Sequence, residues 1–442
     1  MAPISQMCVS LLAWMLLPVL AQTTKPVYAH FMLGIVENYT ISDWHLDMTQ
    51  AKEIGIDGFA LNCAPARIDS YTPKQLANAY RAAQDLNFTV FISFDFAYWS
   101  TADTAEITSI VGNYSAHPAQ ARYDGGAIVS TFVGDNMNWT AVKNGVPPGQ
   151  KITALPMIQD PAWLSVANTG LDGAFSWYAW PTDGGNSIIP GPMTTIWDDR
   201  YLANLGNLPY MAPVSPWFST HFNTKNWVFI TEEQPTIRWE QMLVMKPALV
   251  EIISWNVNLY FPNTKLLTTL SDSQPNHSDD GSSAWATGFP HEGWRTLMKP
   301  YIAAYKSGAD KPTVISDELV YWYRPMPKNT VCTNDTLGAP NGIQYLADVV
   351  FVATMLTQPA TLTVTSGSQA PFTVPVGAGI QTTNFTMGIG AQKFSVSRNG
   401  SPVLGGTSSK EISGACQKYN FNAFVGSFKA QADRSVFGTS GE

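Results

Sequence analysis

The chain is poor in charge. Of its 442 residues only 25 are basic and 33 acidic, 13% in all, about half the usual quarter for soluble proteins. The net charge of −8 at pH 7 gives no basic surface for a nucleic acid to follow. Four cysteines without CxxC spacing and six histidines without an HExxH pair exclude the common zinc patterns. No Gly-x-Ser-x-Gly elbow occurs, and no glycine-rich phosphate loop follows a strand-like run. Past the first two dozen residues no apolar stretch is long enough to span a bilayer. The 33 Gly and 30 Pro show no repeat, so collagen-like and low-complexity chains are excluded as well. What the chain has is aromatics: 15 Trp, 17 Tyr and 21 Phe, 12% of the residues. Few charges and many indoles and phenols suit a neutral, polar, flat-faced ligand, and sugars fit that description.

The N-terminus reads as a secretory leader. Val9–Ala21 is an apolar run of signal-core length, followed at once by Gln22-Thr23-Thr24-Lys25-Pro26, with cleavage expected ahead of Gln22. Acceptor sequons recur at Asn38, Asn87, Asn113, Asn138, Asn276, Asn334 and Asn384. A secreted glycoprotein is therefore expected. After cleavage Cys63, Cys332 and Cys416 remain; the last two are expected to pair, leaving Cys63 as a buried free thiol.

Strand and helix signals alternate through the first three hundred residues. Val27–Leu33, Asp57–Cys63, Thr89–Phe96, Ala127–Gly134, Lys151–Ile158, Gly173–Trp180, Tyr210–Phe218 and Leu249–Asn256 read as eight strands. Helical periods fall at Asp43–Gly55 (with Ser42 as cap), Pro73–Leu86, Asp103–Ala116, Pro235–Met245 and Pro290–Lys306. This is the pattern of an α/β (β/α)8 TIM barrel, expected over residues 22–312. A doubly wound sheet is the alternative, without its usual phosphate loop. From Glu318 onward, short β-rich runs between Gly, Pro, Ser and Asn predict a C-terminal β-sandwich over residues 313–442.

Function in such barrels sits at the C-terminal ends of the strands. Those ends carry Asn62, Asp95 with Tyr98 and Trp99, Asp135, Asp160, Trp177, Trp180, Trp217, and Trp255 with Asn256. His30 lies inside the first strand and is read as a core residue or a sugar contact. Asp57 and Glu251 open their strands and are read as structural. Glycoside hydrolysis needs one acid for the leaving oxygen and one base or nucleophile, and indole faces hold pyranose rings. Asp95 and Asp135 are the candidate catalytic acids on this ground. No cofactor or metal is expected, and the expected partner is a polysaccharide, neither a nucleic acid nor a membrane, bound by a monomer.

Several stretches together carry a resemblance. Tyr28-Ala-His-Phe-Met-Leu-Gly, Asp57-Gly-Phe-Ala-Leu-Asn, Ser93-Phe-Asp-Phe-Ala-Tyr-Trp, Phe175-Ser-Trp-Tyr-Ala-Trp-Pro, Met211-Ala-Pro-Val-Ser-Pro-Trp-Phe, Glu251-Ile-Ile-Ser-Trp-Asn and Tyr321-Trp-Tyr-Arg-Pro resemble the fungal α-1,3-glucanases (mutanases) of glycoside hydrolase family 71. The resemblance implies a barrel with a β-sandwich and endo-hydrolysis of α-1,3-glucan with inversion, secreted and acting at a cell wall. The chain departs from the family after Ser-Trp-Asn, where Asp-Tyr-Gly-Glu-Ser-His is expected. Here Val257 and Tyr260 occupy the places of the carboxylate pair. The departing block runs from Val257 to about Ser271 and begins at a sharp edge. It is read either as a mis-joined splice junction or as divergence into a non-hydrolytic glucan-binding homologue.

Overall fold

A computed structural model describes residues 25–164, 170–222, 225–258, 266–269 and 288–430. The leader Val9–Ala21, Tyr260 and the Asn276 sequon lie outside these residues. In chain order the first part contains β1 (Val27–Met32), α1 (Ile41–Glu53), β2 (Gly58–Cys63), α2 (Thr72–Asp85), β3 (Thr89–Asp95) and α3 (Thr104–Tyr114). Next come the two-residue β4 (Arg122–Tyr123), β5 (Gly126–Phe132), α4 (Trp139–Gly145), β6 (Ile152–Pro156), β7 (Ala174–Phe175) and α5 (Ile196–Leu205). β8 (Tyr210–Val214), the hairpin β9 (Ser219–Phe222) and β10 (Lys225–Val228), α6 (Gln234–Met245), β11 (Leu249–Ile252), β12 (Asn256–Asn258), β13 (Leu266–Thr269) and α7 (Glu292–Ser307) complete this part.

Each of the eight expected strands is present. The sixth is much shorter than expected, two residues at β7, because the chain turns away after Phe175. Strands run in the order β4-β5-β3-β2-β1-β11-β8-β7, with β6 on the other side of β5. All pairings are parallel except the short β4. Parallel strands covered on both faces read as continuous apolar runs, and β1, β2 and β11 are buried at every position. The sheet curls until β6 and β7 approach. A single bridge between Met157 and Phe175 spans that gap.

Side-chain alternation divides the sheet into two faces. Tyr28 meets Phe91 edge-on at 5.0 Å although β1 and β3 are not neighbours, so both point into the concave side. Phe31 points the other way, onto Trp44 of α1 at 4.6 Å and Phe59 at 5.1 Å. α1 begins at a capping box between Thr40 and Asp43, not at Ser42 as expected; a box needs its acid three residues after the cap, and only Thr40 has one there. Among the described residues no helix is long and apolar enough to cross a membrane.

The C-terminal region is β-rich. β14 (Glu318–Tyr323), β15 (Val349–Leu356), β16 (Ala360–Ser366), β17 (Phe372–Val376), β18 (Gly379–Thr386), β19 (Gln392–Arg398), β20 (Ser401–Thr407) and β21 (Phe424–Lys429) form two four-stranded antiparallel sheets. Leu319, Tyr321 and Tyr323 of β14 enter a core shared by the two sheets. Val320 and Trp322 enter the main core instead. That sheet is therefore buried on both faces. Cys332 and Cys416 are bonded, with Cα atoms 4.7 Å apart, and Cys63 is free and buried.

The most demanding polar contact in this fold is buried. Arg238 of α6 binds both oxygens of Asp198 in α5 at 2.7 Å, and its Nε donates to the Pro213 carbonyl of β8 at 2.8 Å. Removing one member leaves an uncompensated interior charge. Asp198→Ala is expected to cost about 3–5 kcal/mol, read as a shift of the urea unfolding midpoint.

Candidate active site

The alternation that sends Tyr28 inward also sends His30, Asn62, Ser93 and Asp95 inward, because β1, β2 and β3 pair in register (His30 beside Ala60, Asn62 beside Ser93). Glu251 of β11 pairs beside Tyr28 and shares this face. His30 Nδ1 lies 2.7 Å from Glu251 Oε1, and both side chains are fully buried. The second atoms of this pair, His30 Nε2 and Glu251 Oε2, have no hydrogen-bond partner among the described residues. Burial holds the Glu251 carboxyl above its ordinary range, against the pull of the His30 contact. Glu251 was expected to be structural, at the opening of its strand. β11 begins at Leu249 as expected, and Glu251, its third residue, lies in the interior against His30. Asp57 is structural as read, accepting from Val27 N–H at 2.9 Å and pairing with Lys306 at 2.5 Å.

Above this layer a cavity of about 280 Å³ is lined by Phe132, Trp177, Tyr178, Trp180, Lys225 and Trp227, among others. The Trp177 ring meets His30 edge-on at 4.9 Å and Phe132 at 4.8 Å, so the cavity floor is continuous with the polar layer. Asp95 closes β3 and accepts from Ala97 N–H at 2.9 Å. Burial pushes its carboxyl up to about 6, although the Ala97 N–H and the charges of His30 and Lys225 work against this. Lys225 is in turn lowered by burial and raised by Asp95. Asp135 follows β5, the strand beside β3. Its Oδ2 accepts from Gln159 N–H at 3.0 Å and its Oδ1 has no partner among the described residues. Burial raises its carboxyl too.

The remaining expected residues divide. Trp177 and Trp180 line the cavity, and Tyr98 is half-buried in the turn after Asp95, its N–H bonded to the Asp95 carbonyl at 2.9 Å. Asp160 is exposed and caps its own turn through Ala162 N–H. Three tryptophans expected in the groove are packed elsewhere. Trp99 donates to the Cys63 carbonyl at 2.9 Å beneath Arg67. Trp217 donates to the Phe421 carbonyl of the C-terminal region at 3.0 Å, against Trp294. Trp255 lies behind the sheet, donating to Asp47 of α1 at 2.9 Å. The physical reason is shared: a buried indole satisfies its one N–H, and the partner that does so here lies away from the cavity. Asn256 is likewise consumed, exchanging two hydrogen bonds with the Met32 backbone, at 2.8 and 3.2 Å.

Lys225, Trp227, Tyr178, Gln159 and Glu251 were not expected. Lys225 and Trp227 belong to a hairpin whose alternating Ser-Thr-His-Phe and Lys-Asn-Trp-Val runs are a readable strand signal. Among the described residues no group of three or more His, Cys, Asp or Glu is arranged to hold a metal.

Inward carboxylates beneath an indole-lined cavity, at the C-terminal ends of parallel strands, are the arrangement of a glycoside hydrolase. The chain belongs to glycosyl hydrolase family 71, whose model matches residues 23–436. It is 59% identical over 421 residues to a mutanase of Penicillium rubens, covering 94% of this chain and 92% of that one. It is 36% identical over 427 residues to a glucan endo-1,3-alpha-glucosidase of Schizosaccharomyces pombe, with 92% and 95% covered. An ascus wall endo-1,3-alpha-glucanase of the same yeast is 29% identical over 383 residues, with 82% and 86% covered.

The raised proton affinity of Asp95 makes a prediction about stability. Its unfolded value lies near 3.9 and its folded value near 6. The contribution is full below about pH 4 and is lost as pH rises through 6, by about 3 kcal/mol. Asp95→Asn removes this loss. Urea unfolding at pH 4 and pH 7.5 should therefore show the variant gaining on the wild type by about that amount.

Proposed function

We propose that this glycoside hydrolase is a secreted endo-α-1,3-glucanase that cleaves the linear glucan of fungal walls with inversion. The observation that carries the reading is the 59% identity to a mutanase over nearly the whole of both chains. The six sequon asparagines among the described residues are all exposed, which supports passage through a glycosylating secretory route. The curled parallel sheet, with its Met157–Phe175 bridge, supports a closed (β/α)8 barrel over residues 22–312. The two antiparallel sheets that share one apolar core support a β-sandwich over residues 313–442.

The cavity accounts for binding. Trp177, Trp180 and Trp227 offer flat apolar faces to pyranose rings, and Lys225 and Gln159 offer polar contacts to hydroxyls. With Val257 and Tyr260 in place of the family's carboxylates, proton transfer falls to acids elsewhere in the site. Asp95, titrating near 6, holds its proton in mildly acidic medium and is the donor to the leaving oxygen. Asp135, one strand over, has a free oxygen and takes the proton of the attacking water. Inversion follows if that water lies between the two carboxyls on the face opposite the leaving group.

The test is release of reducing ends from insoluble α-1,3-glucan, run beside retention on the same polymer. Asp95→Asn and Asp135→Asn should each lower kcat about 10²- to 10⁴-fold while retention stays. Trp177→Ala should weaken retention with the fold intact. A wild-type chain that is retained but releases no reducing ends would overturn hydrolysis in favour of a glucan-binding role. The first product should be the β-anomer, read by proton NMR.

A further inference from the structure

Away from Asp95, another histidine, unlike His30, has both ring nitrogens engaged. His221 of β9 places Nε2 2.7 Å from Asp335 Oδ2 and Nδ1 2.6 Å from Asn226 Oδ1. The orientation of the Asn226 amide is set independently, because its Nδ2 donates to the Gly338 carbonyl at 3.2 Å. Asp335 is held as an acceptor by Tyr419 N–H at 2.8 Å and Leu337 N–H at 2.9 Å. Each imidazole nitrogen thus faces an oxygen acceptor. A neutral imidazole carries one N–H and can satisfy only one of them; the imidazolium satisfies both.

The contact joins two parts of the molecule. His221 and Asn226 are register partners of the β9–β10 hairpin. By alternation their side chains leave the hairpin on the face opposite Lys225 and Trp227, which line the cavity. Asp335, Gly338 and Asn341 belong to the loop between Cys332 and Leu346, which the disulfide ties to Cys416. Two backbone bonds, Val228 N–H to Asn341 and Asn341 N–H to Asn226, both 2.9 Å, continue the seam.

We propose that His221 is a positioning residue whose doubly N–H-bearing form clamps this hairpin to the C-terminal loop, holding Lys225 and Trp227 as a wall of the cleft so that neutral polysaccharide binds more tightly in acid than in base. The proposal rests on the reading of the cavity as the polysaccharide cleft. From the C-terminal region the Asp335 carboxylate and the edge of the Tyr419 ring, 6.0 Å away, face the imidazole. From β10 the Asn226 amide faces it. Both acceptors are satisfied only when both ring nitrogens carry a hydrogen, so acid favours the clamped state. When the ring loses one N–H, the Asn226 oxygen is left against a bare nitrogen.

The experiment uses the full chain and two readouts between pH 5 and 8. One is the dissociation constant on insoluble α-1,3-glucan; the other is amide hydrogen exchange of the hairpin, corrected for intrinsic rates. In the wild type, affinity should fall about three- to tenfold across the range, with hairpin protection falling alongside. Asp95 titrates in the same range, so His221→Gln supplies the separation: it should bind weakly at both ends and flatten the hairpin transition, with kcat at saturation little changed. Asn226→Asp offers the imidazolium a second anion and should move the midpoint up by about one pH unit, a shift that a merely structural contact would not produce. Hairpin protection independent of pH in the wild type, or a midpoint unmoved by Asn226→Asp, overturns the clamp. A hairpin transition in a chain that binds no glucan at any pH upholds the clamp and overturns the reading of the cleft.

Discussion

Charge inside the curled sheet is the constraint on which the site depends. His30, Glu251 and Asp95 are all buried where apolar residues would be more stable, and an unpaired ion in such a place costs several kcal/mol. The fold manages this without eliminating it. His30 and Glu251 share one hydrogen bond, and Asp95 has one backbone donor, with His30 and Lys225 acting on it at longer range. The incomplete compensation is what raises its proton affinity: a fully solvated Asp would have lost its proton well below pH 6, and a fully paired one would hold a charge.

The C-terminal region takes part in this arrangement. The sheet containing β14 is covered on both sides, and Trp322 donates to the Glu232 carbonyl just ahead of α6 at 2.9 Å. Arg324 lies over the Trp217 ring at 4.4 Å and pairs with Glu232 at 3.3 Å. Gly293 of α7 sits so close to Val425 and Gly426 that an added Cβ would come within 2.8 Å of the Val425 side chain. The part built on the parallel sheet and the β-rich part therefore share one packed boundary, and the hairpin that walls the cavity is bonded along it. The C-terminal region thus supplies part of the framework around the cavity.

Legibility differed between elements for physical reasons. The eight inner strands were readable because parallel strands buried on both faces need uninterrupted apolar residues. In the C-terminal region β17, β18 and β20 carried no readable run; all three are edge strands with exposed positions, so each lacks that signature. The candidate site was half legible. Strand ends drew attention to Asp95, Asp135, Trp177 and Trp180, but the same rule gathered Trp99, Trp217 and Trp255, whose rings are spent in packing. One residue of register separates a strand's inward face from its outward one, and a run such as Ile252-Ile253-Ser254-Trp255-Asn256 does not announce where regular pairing stops.

Composition and local pattern by themselves determined the class of ligand, the alternation of strands and helices, the pairing-competent cysteines and the family resemblance, because each depends on residue identity or on neighbours close in the chain. Tertiary structure alone decided which indoles face the cavity, that Glu251 meets His30 across 221 residues of sequence, and that His221 meets Asp335 across 114. Those outcomes depend on the curl of the sheet and on which surfaces close against each other. Desolvation and pairing energies, and with them the proton affinity of Asp95, come into being only once that closure has excluded water.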